Sequence, residues 1–546
     1  MTTLQSREDA LLRRVRAFDW ARLKWCFAAT ALCMLLAHGF AWFNLFPSHD
    51  ATILFFDADV VMLQLGRWVQ LPYYRFLRGK INMPWLTGMF SVLWVSLSVC
   101  LISSLLQLRK KSMAAVAALF GTAISVTLLN ATYNDKADLF TCAMLLALLG
   151  AYAVRRCRRP WLGVLLCGGC LCLSMGLYQG YIEFAIGLLL LCMLRDCLTT
   201  DLPWKDYLRQ GITAIAGLLL GGVLYAVSMK AVLAYKHLEL IDSSNGLQQM
   251  SRAGVADYLA RLPGAYKQVF TTLLGYDVWN NRGMRLATAV CLLLGLACLV
   301  LALRKKPLRA AVQVVILLVL LPLGLNVVYL LSEKHPTLLM LYPVYLVYAL
   351  VLLLTGLEPD TIPRSAAWLA CLLCAFITVQ NVIYANGAYT YRKLVYENTR
   401  AQVYTIMAKV EDLPGYVEGE TPVVFSGDFT DSNFTYHNDL LRLYEEGDTG
   451  LSGSAITYDG TIKWWFGNIM GSSAKVVNTQ AELGTKSCRA GNAQLPCQRQ
   501  YCYGRWCCGD QAVRLKCQKK GRCNNDYSNN PHEKRHRRGY GHPLGL

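Results

Sequence analysis

Residues 86–132 read LTGMFSVLWVSLSVCLISSLLQLRKKSMAAVAALFGTAISVTLLNAT. The only charges in this stretch are Arg109, Lys110 and Lys111, which stand side by side at its middle. On either side lie about 20 mostly apolar residues, the length a helix needs to cross the hydrocarbon of a bilayer. Neither side shows the polar face, repeating about every 3.6 residues, of a helix that meets water. The stretch therefore reads as two membrane-spanning helices joined by a basic connector.

The same pattern extends in both directions. Apolar runs fall near 22–44, 86–107, 112–132, 139–154, 161–178, 181–198, 211–232, 286–303, 310–331, 340–357 and 366–387. Every second connector is basic. Arg13, Arg14 and Arg16 precede the first run, and Arg155, Arg156, Arg158 and Arg159 follow the fourth. Arg195, Lys205 and Arg209 follow the sixth, and Arg304, Lys305, Lys306 and Arg309 follow the eighth. Because cytoplasmic loops concentrate Lys and Arg, the N-terminus is expected in the cytoplasm and everything after about residue 388 outside it. The first run is span-length and is followed by Asn44 and Pro47 rather than by a small-residue cleavage site, so it reads as an anchor and not a signal peptide.

Composition agrees. Of the 546 residues, 55% are hydrophobic and 16% charged, against the roughly 25% charge of soluble domains. The net charge of +19 does not indicate nucleic acid, because residues 484–546 hold 13 Lys+Arg against 3 Asp+Glu and most of the remainder sits in the short connectors. The expected organisation is a cytoplasmic N-terminus (1–21), a polytopic helical domain (22–387) with outer loops at 45–85 and 233–285, an extracytoplasmic α/β domain (388–483) and a basic, cysteine-rich tail (484–546). Within the α/β domain, the residues predict a helix over Arg392–Val410, a strand over Thr421–Ser426 and a second helix near Asn438–Tyr444.

Seven of the 21 cysteines lie in the tail, with no CxxC pair and an odd number, which argues against a zinc module or disulfide knot. The other fourteen lie in the spans or at their ends, where cysteine acts as a small apolar residue. One choice of codons for Cys502–Leu515, read one base later, encodes ATVDGVVVIKLSD followed by a stop. An Asp-Gly turn leading into a β-branched strand is a credible domain end. The tail is therefore expected to be out of frame from near Leu483 and disordered.

The first outer loop is the richest in chemistry. It runs FFDADVVMLQLGRWVQLPYYRFLRGKINMPWL from Phe55 to Leu86. Asp57 and Asp59 suit a general base or the oxygen ligands of a divalent cation such as Mg or Mn. Arg67, Arg75, Arg78 and Lys80 suit a phosphate. Trp68, Tyr73, Tyr74 and Trp85 suit a sugar face. The same residues fit an interfacial loop with an aromatic belt and headgroup-binding arginines equally well. Asp135 and Asp138 lie in the next outer connector, and Tyr178, Gln179 and Glu183 in the one after. Glu183 stands just inside an apolar run, where an ionisable group is costly and usually functional. The chain has no P-loop, no GxGxxG after a strand, no HExxH and no serine elbow.

GRWVQLPYYRFLRGKINMPWL (Gly66–Leu86), TYNDKADLF (Thr132–Phe140) and LSMGLYQGYIEF (Leu173–Phe184) resemble, in order and spacing, the bacterial Gtr type II membrane glucosyltransferases of O-antigen conversion, over most of residues 20–483. The resemblance implies a GT-C-like helical fold of about 11 spans in the bacterial inner membrane, with catalysis at its outer face. It implies transfer of a sugar, usually glucose, from a polyprenyl-phosphate donor to an extracytoplasmic cell-surface glycan. Asp57 or Asp59 would then deprotonate the acceptor or hold a metal, while Arg67 and Arg78, beside Arg75 and Lys80, hold the donor phosphate. Trp68, Asp135, Asp138, Tyr178, Gln179 and Glu183 would line the sugar site. Such relatives tend to end in a short Asp-Gly strand, as the shifted frame would. The competing reading is a lipid-linked-glycan flippase, which more often shows paired repeats and broken helices.

Overall fold

The computed structural model describes residues 19–47, 59–81, 83–241, 254–275, 281–331, 336–358, 362–425, 444 and 465–477, together with short strand segments at 501–502, 506–508 and 515–516. Asp57, the basic cluster Arg13–Arg16 and the helix expected near Asn438–Tyr444, apart from Tyr444 itself, lie outside the described residues.

The described chain is a multi-pass helical membrane protein. Eight helices are long and apolar enough to cross a bilayer. They are α1 (Trp20–Phe43), α4 (Pro84–Leu106), the pair α5 (Lys110–Gly121) and α6 (Ile124–Thr132), α7 (Ala137–Arg156), α8 (Pro160–Leu177), α10 (Trp204–Lys236), α12 (Arg282–Leu303) and α16 (Arg364–Glu411). The other three expected runs coincide with apolar helices that are shorter or carry more charge. These are α9 (Ile182–Thr199), α13 (Leu308–Gly324) and a 3₁₀ turn at Tyr342–Tyr345 running into α15 (Leu346–Thr355). Short helices α2 (Asp59–Gln64) and α3 (Gln70–Tyr73) lie in the first loop, α11 (Val255–Leu273) in the second, and α14 (Val327–Leu331) follows α13.

Helix starts follow local chemistry. Asp19 caps α1 by accepting from the Arg22 amide at 2.9 Å. Pro84 and Pro160 stand in the first turns of α4 and α8, where a missing N–H costs nothing. The α5–α6 pair is the centre of the bundle, with 89% of its apolar window buried, whereas α10 lies at the periphery with 28% buried. Ile212, Leu219 and Val223 of α10 face outward, as a lipid-facing helix requires. Where α8 meets α10, a Cβ on Gly221 would come within 2.6 Å of the Leu171 side chain, so glycine sets how closely the backbones approach.

The basic connectors gather at one end of the bundle. Arg155 and Arg195 both bind Asp196, the latter at 2.5 Å, and Arg195 also donates to the Leu105 carbonyl. Arg156 donates to the Ser104 carbonyl, and Lys306 pairs with Asp201 at 3.0 Å. The loops richest in acidic and aromatic residues meet at the other end.

From that end α16 continues as one unbroken helix, carrying Tyr396 toward the buried Trp465, with ring centroids 6.2 Å apart. The expected outer helix is thus the far half of the last spanning helix. Strand β1 (Val423–Phe425), within the expected strand, pairs in parallel with β2 (Val476–Val477). It also pairs antiparallel with β4 (Trp506–Cys508), while β3 (Tyr501–Cys502) and β5 (Leu515–Lys516) pair with each other.

Candidate active site

The first outer loop turns back on itself at two glycines held in the left-handed region, Gly66 (φ 75°) and Gly79 (φ 87°). Between them α3 passes into a π-type turn over Tyr74–Arg78, which brings Tyr73, Tyr74 and Arg78 inward and leaves Arg75 exposed. The loop is fastened to the start of the third outer connector. The Val69 amide donates to the Gly176 carbonyl at 3.0 Å, and Gln70 Nε2 donates to the Leu177 carbonyl at 2.8 Å. A Cβ on Gly176 would sit 2.3 Å from Val69 Cγ2, so this seam admits only glycine without a shift.

Arg78 is the centre of the buried cluster. Its Nε lies 3.2 Å from Asp138 Oδ2, and neither side chain has any exposed surface. Its Nη1 donates to the Ile81 carbonyl at 3.0 Å and its Nη2 to the Asp135 carbonyl. The guanidinium stacks 4.7 Å from the centroid of Tyr74. Tyr73 donates to the same Asp138 oxygen at 3.0 Å and accepts from Trp94 Nε1 at 3.2 Å. Burying a charge is costly unless it is paired and hydrogen-bonded. Both conditions are met here, and the first loop is thereby locked to the second connector. Burial and the nearby Asp135 carboxylate push the Tyr74 phenol well above its ordinary value, so it remains a neutral donor.

Arg67 is held differently. Its guanidinium lies 5.2 Å over the Tyr178 ring, and its Nε is buried with no hydrogen-bond partner among the described residues. Gln179 donates to the Leu65 carbonyl at 2.7 Å and to Tyr225 at 2.9 Å, and Tyr225 in turn donates to the Gly66 carbonyl at 3.0 Å. The turn that presents Arg67 is thus pinned on both sides. Glu183 is fully buried. Its Oε1 accepts from the Val328 amide at 2.8 Å, while its Oε2 has no hydrogen-bond partner among the described residues. The same holds for Trp68 Nε1, Tyr74 OH and Asp138 Oδ1. Buried polar atoms are usually satisfied, so several such atoms around one loop are what a polar ligand would complete.

Of the residues read from the sequence, Arg67, Trp68, Arg78, Asp135, Asp138, Tyr178, Gln179 and Glu183 come together at this end of the bundle. Asp135 is buried, with a carboxylate oxygen 3.6 Å from Lys136 Nζ. Asp59 is at the rim, paired with Lys80 at 2.8 Å, both partly open to solvent. Among the described residues no group of three or more His, Cys, Asp or Glu side chains is placed to hold a metal ion. Tyr225, Gln70 and Trp94 also belong to the cluster, and nothing in the sequence marks them. They lie inside or beside apolar runs, and only the hydrogen bonds they make reveal their part.

Residues 39–355 match the family model described as Glucosyl transferase GtrII. This span is more than half the chain and contains every residue of the cluster. The chain belongs to that family. It is accordingly a membrane glucosyltransferase rather than a transporter, and the resemblance read over residues 20–483 is matched over 39–355. No curated protein and no solved structure matches the chain.

Proposed function

We propose that this GtrII glucosyltransferase takes glucose from a polyprenyl-phosphate donor at the extracytoplasmic face of the bacterial inner membrane and passes it to a cell-surface glycan. In this reading the chain has eleven spans, the basic connectors lie in the cytoplasm, and the loops that carry the cluster lie outside. The fold is of the GT-C type. The observation that carries the reading is the cluster itself, an arginine-rich outer loop over buried carboxylates, beside polar atoms with no hydrogen-bond partner among the described residues. A lipid-linked donor needs no nucleotide-binding domain, which fits the absence of phosphate-loop motifs.

The donor phosphate falls first to Arg67, with Arg75 and Lys80 at the rim. Arg78, whose donors are committed inside the protein, holds the loop that presents them. Attack by an acceptor hydroxyl on the anomeric carbon proceeds through oxocarbenium-like character as the C–O bond to phosphate breaks. Arg67 stabilises the charge that develops on the leaving phosphate. Asp57 or Asp59 takes the hydroxyl proton. Trp68, Asp135, Asp138, Tyr178, Gln179 and Glu183 surround the sugar, some directly and some by positioning others. If a divalent cation takes part, the same two aspartates of the loop supply its oxygen ligands.

The test is to delete the gene, analyse the surface glycan by mass spectrometry, and complement with wild type, Asp57→Asn and Asp59→Asn at equal membrane expression. Loss of one hexose, restored by wild type but not by one of the two variants, is the expected result. Restoration by both variants removes the base assignment. A glycan unchanged by deletion removes the acceptor assignment.

A further inference from the structure

At the opposite end of the bundle from the cluster, a cavity of about 300 Å³ opens between the connector before α5 and the start of α16. Arg109, Lys110, Lys111 and Arg364 line it, with Thr355 and Trp368. Among the described residues no carboxylate lines the cavity or pairs with any of these four cations. Glu358 is in the neighbouring connector but does not line the cavity, and Asp360 lies outside the described residues. By contrast, the other basic connectors at this end spend charge on Asp196 and Asp201. Lys111 Nζ sits 3.0 Å from the centroid of the Trp368 ring, which orients the ammonium without neutralising it. The site is anchored, since the Lys110 carbonyl accepts from Trp25 Nε1 of α1 at 3.0 Å.

Among the described residues no anion stands between these four exposed cations, which repel one another weakly in water, and an anion bound among them would relieve that repulsion. A second feature indicates how that anion arrives. From the cavity, α16 descends along Trp368, Leu372, Phe376, Val379 and Ile383, all exposed and on one face. These residues form an apolar lane that begins at the cationic rim. A phosphate carried on acyl chains would use both, its headgroup among the cations and its chain along the lane. A free phosphate would use only the first.

We infer that this cavity binds the phosphate headgroup of an anionic phospholipid and so clamps the starts of α5 and α16. The site is separate from the transferase cluster and stands whether or not the donor proposed above is correct.

The test uses the purified full-length chain in nanodiscs of phosphatidylcholine alone or with phosphatidylglycerol, reading retained lipid by native mass spectrometry and the melting temperature. Phosphatidylglycerol is expected to stay bound and to raise the melting temperature. The double variant Lys111→Gln/Arg364→Gln is expected to retain it about 25-fold less, roughly fivefold for each cation removed. Arg158→Gln/Arg159→Gln removes equal charge from another exposed connector and is expected to behave as wild type. The single variant Arg364→Gln, at an exposed site, supplies the same comparison if the double variant is poorly folded. Equal lipid loss from the Arg158/Arg159 variant would overturn the site in favour of diffuse attraction. Inorganic phosphate raising the melting temperature as much as phosphatidylglycerol would overturn the lipid as its source.

Discussion

Arg67 and Arg78 belong to one loop yet face different tasks, and the difference can be measured. Arg78 is enclosed by Asp138, two carbonyls and the Tyr74 ring. Removing either member of a buried pair strands the other charge, so Arg78→Gln and Asp138→Asn are each expected to destabilise by about 3–5 kcal/mol. The double variant should cost clearly less than the sum, measured by thermal unfolding in detergent. Arg67→Gln is expected to leave the melting temperature nearly unchanged while lowering transfer roughly 100-fold, as loss of a transition-state donor does. If the two arginines show the same profile, the division of labour is wrong. Glu183 offers a finer comparison. Glutamine retains an acceptor for the Val328 amide, whereas alanine leaves that buried N–H unsatisfied at a cost of about 1–3 kcal/mol. Glu183→Ala should therefore lower the melting temperature and Glu183→Gln should not. The sequence shows Arg67, Arg75, Arg78 and Lys80 as equivalent loop cations, because nothing in their spacing says that a π-type turn will bury one and expose the next. Glu183 was legible as an unusual carboxylate in an apolar run, but its partner is a backbone amide 145 residues away.

Among the elements, the seam between the first outer loop and the end of α8 decides whether the cluster forms. Gly176→Ala would push against Val69, and overpacking of this kind costs about 1–3 kcal/mol. Gly169, in the same helix with nothing within 4 Å of an added Cβ, is the control. Gly169→Ala should be neutral or stabilising. Protease cleavage within the loop should rise for the first variant only. Long, unbroken apolar runs were legible as helices because lipid leaves the backbone no other partner. α9 is the instructive exception. It carries Glu183, Arg195 and Asp196, and stays embedded only because two arginines and a backbone amide answer those carboxylates. Such compensation is tertiary and has no local signature.

For the whole molecule, the order of connectors was the strongest message in the sequence. Basic loops meet at one end through Asp196 and Asp201, and the cluster loops meet at the other. That order also brings three distant motifs to one place, which no single motif announced. The tail after Leu483 contributes only strand segments of two or three residues among the described residues, too short to hold a fold by themselves. A chain truncated after Leu483 is expected to reach the membrane and retain transfer. Sequencing the 3′ end of the gene and assaying the truncated chain together check the out-of-frame reading.

Whether the sugar arrives on a lipid is tested by supplying the purified chain in liposomes with an acceptor glycan and one of two donors. Glucose is expected to transfer from polyprenyl-phosphate glucose, sensitive to Arg67→Gln, and not from UDP-glucose. Equal or faster transfer from UDP-glucose would rule out a lipid-linked donor.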